Sequence, residues 1–86
     1  MALLIDPPRW PAHGTVFSHL VSDASYAELH AFALANGLPE RAFDRDHYDV
    51  PLVRYEMLVA AGAEAVESRV LLSRLIAAGL RRRKIR

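Results

Sequence analysis

Cysteine is absent from the chain. Its absence excludes disulfides, a thiol nucleophile and cysteine metal ligands, and it fits a cytoplasmic protein. A long hydrophobic run is missing too. The apolar start Met1-Ala2-Leu3-Leu4-Ile5 stops at Asp6-Pro7-Pro8. It is too short for a signal peptide or a membrane span and reads as a buried strand. There is no linker, low-complexity stretch or long internal repeat. H-E-x-x-H, G-x-S-x-G, a paired-carboxylate motif and a phosphate-binding loop are all lacking, so no reaction is written in a diagnostic spacing.

Strong net charge is lacking as well, at +1, but the balance is uneven. Five of the 11 basic residues fall in Arg81-Arg82-Arg83-Lys84-Ile85-Arg86, leaving six on residues 1–80 against ten acids. The body is mildly acidic and the end strongly basic. What remains is a globular composition, 52% hydrophobic and 24% charged. At 86 residues, the expected organisation is one compact domain over residues 1–80 followed by a basic tail, 81–86. A chain of this size buries roughly 60–65% of its unfolded surface. A site should therefore be a surface cleft, or one completed by a second copy in a homodimer.

Three segments end in glycine followed by an apolar residue, the pattern that closes helices: Asn36-Gly37-Leu38, Ala61-Gly62-Ala63 and Ala78-Gly79-Leu80. The first helix is predicted to begin at Ser25, with Ser25-x-x-Glu28 as a capping box. The second should span about residues 50–61, with Asp49 as N-cap and Pro51 in its first turn. Leu52, Tyr55, Leu58 and Val59 form its inward stripe. The third starts at Ser68 and turns Leu71, Leu72, Leu75 and Ile76 inward. Strands are expected over residues 2–5, 15–22 and 63–67, with 43–48 ambiguous between loop and strand. The result is an α/β fold: a small mixed sheet of three or four strands, three helices packed on it, and one core.

Two stretches carry candidate chemistry. In Asp6-Pro7-Pro8-Arg9-Trp10-Pro11-Ala12-His13-Gly14, three prolines make a stiff loop directly after the first strand. The carboxyl ends of strands are where α/β folds bind ligands. The loop either presents Asp6, Arg9 and His13 to a ligand or covers a sheet edge with Trp10 as its anchor. In His47-Tyr48-Asp49, extended geometry points His47 and Asp49 the same way, and such a pair can bind a metal or share a proton. The plainer alternative leaves Asp49 as a helix cap and His47 solvated. His19 falls on the Phe17/Val21 face of a strand and His30 lies mid-helix; both have packing roles as alternatives. The candidate set is Asp6, His19, His47 and Asp49 for catalysis, with Asp6, His47 and Asp49 as ligands of a divalent metal. Arg9, His13 and Tyr48 are candidates for ligand or phosphate contacts. Arg81, Arg82, Arg83, Lys84 and Arg86 are candidates for nucleic-acid phosphates, with a solvated end as the alternative.

These stretches, with Ser18-His19-Leu20-Val21-Ser22-Asp23, Glu28-Leu29-His30-Ala31-Phe32-Ala33, His47-Tyr48-Asp49-Val50 and Gly62-Ala63, resemble a family of short bacterial and bacteriophage proteins. That family is designated a domain of unknown function, number four-zero-three-one. The resemblance implies no activity or cofactor. It implies that Asp6, Arg9, His19, Asp23, His30, His47, Tyr48 and Asp49 belong to a recurring polar set. Three readings stay open. The first is a binding module that contacts nucleic acid or a protein partner. The second is a metal-assisted hydrolase or phosphoryl-transfer enzyme acting on a nucleotide or nucleic acid, and the third a scaffold whose polar residues only brace it.

Overall fold

A computed structural model describes residues 2–83. Among these, the chain runs β1 (Leu3–Ile5), β2 (Trp10–Ala12), β3 (Thr15–Ser22), α1 (Tyr26–Ala35), β4 (Phe43–Asp44), β5 (His47–Pro51), α2 (Leu52–Ala60), β6 (Glu64–Ala65) and α3 (Ser68–Ala77). The α/β class holds. The sheet has six strands rather than three or four, in the order β4-β5-β3-β1-β6, with β2 also paired to β3. β1 pairs antiparallel with β3 and parallel with β6, so the sheet is mixed.

The eight-residue β3 is the spine. One edge meets β5; the other meets β1 along its C-terminal half and β2 along its N-terminal half. The proline-rich stretch is therefore not all loop. Its second half is an edge strand, where the missing N–H of Pro11 is tolerated. His13 and Gly14 form the tight turn into β3, both with positive φ (49° and 77°), the geometry of a two-residue hairpin loop matched to strand twist.

α1 starts as expected, with Ser25 Oγ accepting from the Glu28 N–H at 3.0 Å. The return half of the box is different. Glu28 accepts from Ser22 Oγ at 2.6 Å, and Ser22 Oγ takes the Ser25 N–H at 3.1 Å, so a serine relays the contact. Leu38 N–H and Leu80 N–H bond back to Ala33 and Leu75 carbonyls, past Gly37 and Gly79, closing α1 and α3 as the glycines predict.

The core is divided in two by the sheet. Leu3, Ile5, Leu20, Tyr48, Val50, Leu29, Ala33 and Leu58 pack on the α1/α2 face. Leu4, Val21, Leu71 and Leu75 pack on the α3 face. The single core expected from the helical stripes is thus corrected. α3 covers only a small four-residue cluster, so Leu72 and Ile76 stay exposed, and Leu52 of α2 is exposed too. Three consecutive buried residues in β1 reflect a strand covered on both faces. No helix among the described residues is long and apolar enough to cross a membrane.

Candidate metal centre

The α3 face of the sheet carries the polar cluster. Strand alternation sends His19 and Val21 of β3, and His47 and Asp49 of β5, to this face. His19 lies directly opposite Asp49 in the antiparallel ladder, and His47 is the next residue of β5 on the same face. Cross-strand neighbours at this register are within side-chain reach, so pairing alone brings the three together. One ligand atom from each of His19, His47 and Asp49 lies within 4.8 Å of the others. The two imidazoles meet edge to face, with centroids 4.9 Å apart.

Each imidazole is held from behind by a buried carboxylate. Asp6 stands in the break between β1 and β2, where Asp6 N–H bonds the His19 carbonyl at 3.2 Å. Its Oδ1 accepts the His19 N–H at 2.6 Å, replacing a backbone acceptor. Its Oδ2 meets His19 Nδ1 at 2.9 Å and accepts from Ser68 Oγ at 2.8 Å, tying β1, β3 and the first turn of α3 together. Trp10 Nε1–H approaches the same oxygen at 3.4 Å. Burial works to raise the Asp6 pKa, but the bonds from His19 and Ser68 outweigh it and hold the carboxyl below its ordinary value. The hydrogen bond to Asp6 raises the His19 pKa, against burial and with help from the charges of Asp6, Asp49 and Asp46.

Asp46 does the same for His47. The β4–β5 hairpin turns through Arg45 and Asp46, with Arg45 at φ 59°. This turn folds Asp46 inward to 1% exposure, where Oδ1 meets His47 Nδ1 at 2.8 Å. Oδ2 accepts the Arg82 N–H at 2.9 Å and an Arg81 guanidinium N–H at 3.4 Å. Burial pushes the Asp46 pKa up, and the bonds from His47 and the Arg82 N–H, with the charges of His47 and Arg81, bring it below the ordinary value.

The proton count is informative. His47 Nδ1 faces Asp46 and His47 Nε2 faces Asp49 Oδ1 at 3.1 Å. A neutral imidazole has one N–H, so it can donate to only one of these carboxylates. A cation, either a second proton or a metal, completes the arrangement. With both Nδ1 atoms engaged by carboxylates, the Nε2 atoms are the ones that could hold a metal, and carboxylate–histidine pairs of this kind orient metal-binding histidines.

The structure brings four of the sequence candidates into one network, Asp6, His19, His47 and Asp49, and redistributes their places. Asp6 lies behind His19, and the side chains whose ligand atoms approach one another are those of His19, His47 and Asp49. Asp49 is not the cap of α2: β5 runs on to Pro51, which pairs with Phe17 and itself occupies the N-cap position. Tyr48 is corrected. Alternation turns it to the opposite face, buried, with its hydroxyl 2.7 Å from His30 Nδ1. His13 belongs to the β2–β3 turn, its ring edge-on to Phe17. Arg9 is exposed and faces Glu67 at 3.5 Å. Arg81 and Arg82 are pinned rather than free: Arg82 also stacks 3.9 Å over the Tyr26 ring and bonds the Arg45 carbonyl. Arg83 is exposed, and Lys84 and Arg86 lie outside the described residues. Sequence reasoning missed Asp46 and Ser68. Asp46 directly precedes His47, but only the hairpin turn lets adjacent side chains meet.

A fold of this kind, with one polar centre on a half-covered sheet face, defines a small α/β domain with a candidate mononuclear site. The chain matches the family described as "Protein of unknown function (DUF4031)" over residues 3–78 and belongs to it. No curated protein and no solved structure matches the chain.

Proposed function

We propose that this protein is a divalent-metal-dependent enzyme of the hydrolase or phosphoryl-transfer class, with His19, His47 and Asp49 as the metal ligands. One observation carries the reading: two imidazoles and a carboxylate converge from paired strands while a buried carboxylate holds the Nδ1 of each imidazole. Two histidines and one carboxylate leave coordination positions open, the hallmark of catalytic rather than structural sites. A cation held there supplies Lewis acidity and an activated water. Asp6 and Asp46 fix the orientation of the imidazoles and raise their basicity as ligands. The cleft beside the cluster has a volume of about 440 Å³ and is lined by Arg45 and Arg69, which suits an anionic substrate. The nucleic-acid-binding tail is the weaker reading, because Arg81 and Arg82 are engaged with Asp46, Tyr26 and Arg45.

The test is metal stoichiometry. Protein stripped with chelator is titrated with Zn²⁺, Mn²⁺ and Co²⁺ by calorimetry, with Co²⁺ absorption reporting the ligand set. One ion per chain is expected, and His19→Ala or His47→Ala should abolish it. Asp46→Asn should weaken it by about 10- to 100-fold, as for other partners of metal-bound histidines. If none of the three ions binds more tightly than about 100 μM, roughly −5.5 kcal/mol, the proposal is wrong.

A further inference from the structure

The metal centre stands on a saddle between two depressions. On one side is the arginine-lined cleft already described. On the other is a groove of about 650 Å³ floored by Trp10, Pro11, Phe17, Pro39 and Pro51, with Arg41 and Arg54 on its rim. Two residues join them. Trp10 lines both depressions, and Asp49, a member of the ligand set, lines the groove while bonding His47 of the cleft. Both depressions carry arginines and apolar side chains; the groove is set apart by its prolines and Phe17, the cleft by His19, His47 and three arginines.

Trp10 is held for such a role. Its indole N–H points at Asp6, its ring leans on His19 with centroids 5.2 Å apart, and yet the residue remains 45% exposed. A half-exposed indole fixed by its neighbours presents a flat face at little entropic cost. Across the saddle, Arg69 makes no ion pair among the described residues, and Arg45 has only a long contact of 3.9 Å with Asp44. Arg81 touches Asp46 at 3.4 Å and also reaches the cleft.

We infer that the substrate is a nucleoside phosphate, its phosphate in the arginine-lined cleft against the His19–His47–Asp49 centre and its base on Trp10 in the apolar groove. This rests on the metal reading of the same site. The division follows from where the imidazoles lie: His19 and His47 line the cleft, so a phosphate would meet the metal there, whereas the proline and aromatic side chains suited to a planar ring line the groove. The same chemistry is offered by a free mononucleotide and by the end of a nucleic-acid strand.

Trp10 is the chain's single tryptophan, so its fluorescence reports directly on the saddle. Metal-loaded full-length protein is titrated with adenosine 5′-monophosphate, ribose 5-phosphate, adenosine and a short oligodeoxyadenylate. The nucleotide should shift the emission and bind at least roughly tenfold more tightly than ribose 5-phosphate, the increment an aromatic stack supplies. By calorimetry, Trp10→Leu should cost the nucleotide roughly tenfold more affinity than it costs ribose 5-phosphate. Arg69→Ala should weaken both phosphates and leave adenosine unaffected. A strand that binds better than the mononucleotide supports the reading with nucleic acid as the source; the reverse supports it with the free nucleotide. Equal binding of nucleotide and ribose 5-phosphate, or nucleotide binding indifferent to metal, overturns it. Metal stoichiometry is measured on the same samples. Loss of nucleotide binding with one metal bound thus refutes only the substrate, and loss of both refutes the centre.

Discussion

Replacing Asp6 by alanine tests the network at its most connected point. The carboxylate is 1% exposed and has three close donors: the His19 N–H at 2.6 Å, Ser68 Oγ at 2.8 Å and His19 Nδ1 at 2.9 Å. A hydrogen bond to a charged group contributes about 1.5–3 kcal/mol, and a buried donor left unpaired costs about 1–3 kcal/mol. These contributions share one acceptor and do not add. The His19 ring is 29% exposed and can recover water, whereas its backbone N–H cannot do so readily. The net loss should be about 3–4 kcal/mol, within the range for breaking a buried pair. An 86-residue domain has a total stability of only about 4–13 kcal/mol, so the loss is large. Asp6→Asn keeps the volume and one acceptor oxygen and should lose about 2 kcal/mol, fewer bonds being broken. The assay is urea unfolding followed by circular dichroism, with chelator present so that metal plays no part. With a slope near 1 kcal/mol/M for so small a chain, Asp6→Ala should lower the midpoint by about 3 M. A loss under about 1 kcal/mol, below one such bond, would refute the role of Asp6 as shared acceptor of β3 and α3.

Leu75→Ala should cost about 2–5 kcal/mol, because Leu75 is buried in the small α3 cluster, whereas Ile76→Ala, one residue on and half exposed, should cost well under 1 kcal/mol. The pH dependence of metal-free stability has two limbs. The depressed pKa values of Asp6 and Asp46 contribute stability that is present above the ordinary carboxylate value of 3.8 and is lost as pH falls through their lower folded values. The raised pKa of His19 contributes stability that is full below 6.5 and is lost as pH rises through its higher folded value; thermal melts across this range should show both declines, and Asp6→Asn should flatten the upper one. Removing residues 81–86 takes away the Arg82 N–H and Arg81 contacts of Asp46, and should weaken metal binding about tenfold, as loss of a partner behind a ligand does, read by the same calorimetry.

Local chemistry was legible where it acts within one element. β3 falls on the predicted residues and α1 begins after its Ser25 cap, because β-branched content and capping side chains are short-range signals. α3 also starts at the predicted Ser68, though no side chain caps it. Asp49 misled for the opposite reason. An aspartate before Pro51 is a good cap by local rules, but pairing of Phe17 with Pro51 and His19 with Asp49 extends β5 through both, and that pairing is non-local. The same alternation that set His47 and Asp49 on one side already implied that Tyr48 faces the other. The divided core was present in Leu3-Leu4-Ile5, whose unbroken apolar run is what a strand buried on two faces requires. Asp46 could not be found without the fold, since adjacent residues in an extended strand diverge and only the turn at Arg45 brings its carboxylate to His47 Nδ1.

A bracing role alone accounts for part of this network and stops short of the rest. Asp6 Oδ1 fills a gap in the ladder between β1 and β2, and the Asp6–Ser68 bond anchors α3; both are structural tasks. Asp46 likewise ties the hairpin to residue 82. Burying a carboxylate is costly, however, and a well-packed apolar contact commonly braces a fold at least as well. Two buried carboxylates, each spending an oxygen on the Nδ1 of a different imidazole, exceed what bracing needs. One contact remains. His47 Nε2 and Asp49 Oδ1 sit 3.1 Å apart although Asp46 already engages Nδ1, so the pair needs either a second proton on the ring or a metal cation. A second proton would make that pair one more brace; a metal would also use the second imidazole edge-on beside it. A divalent cation, as proposed, would stand in for that proton with His19 as a third ligand, and would offset the burial of Asp6 and Asp46 through the histidines they orient.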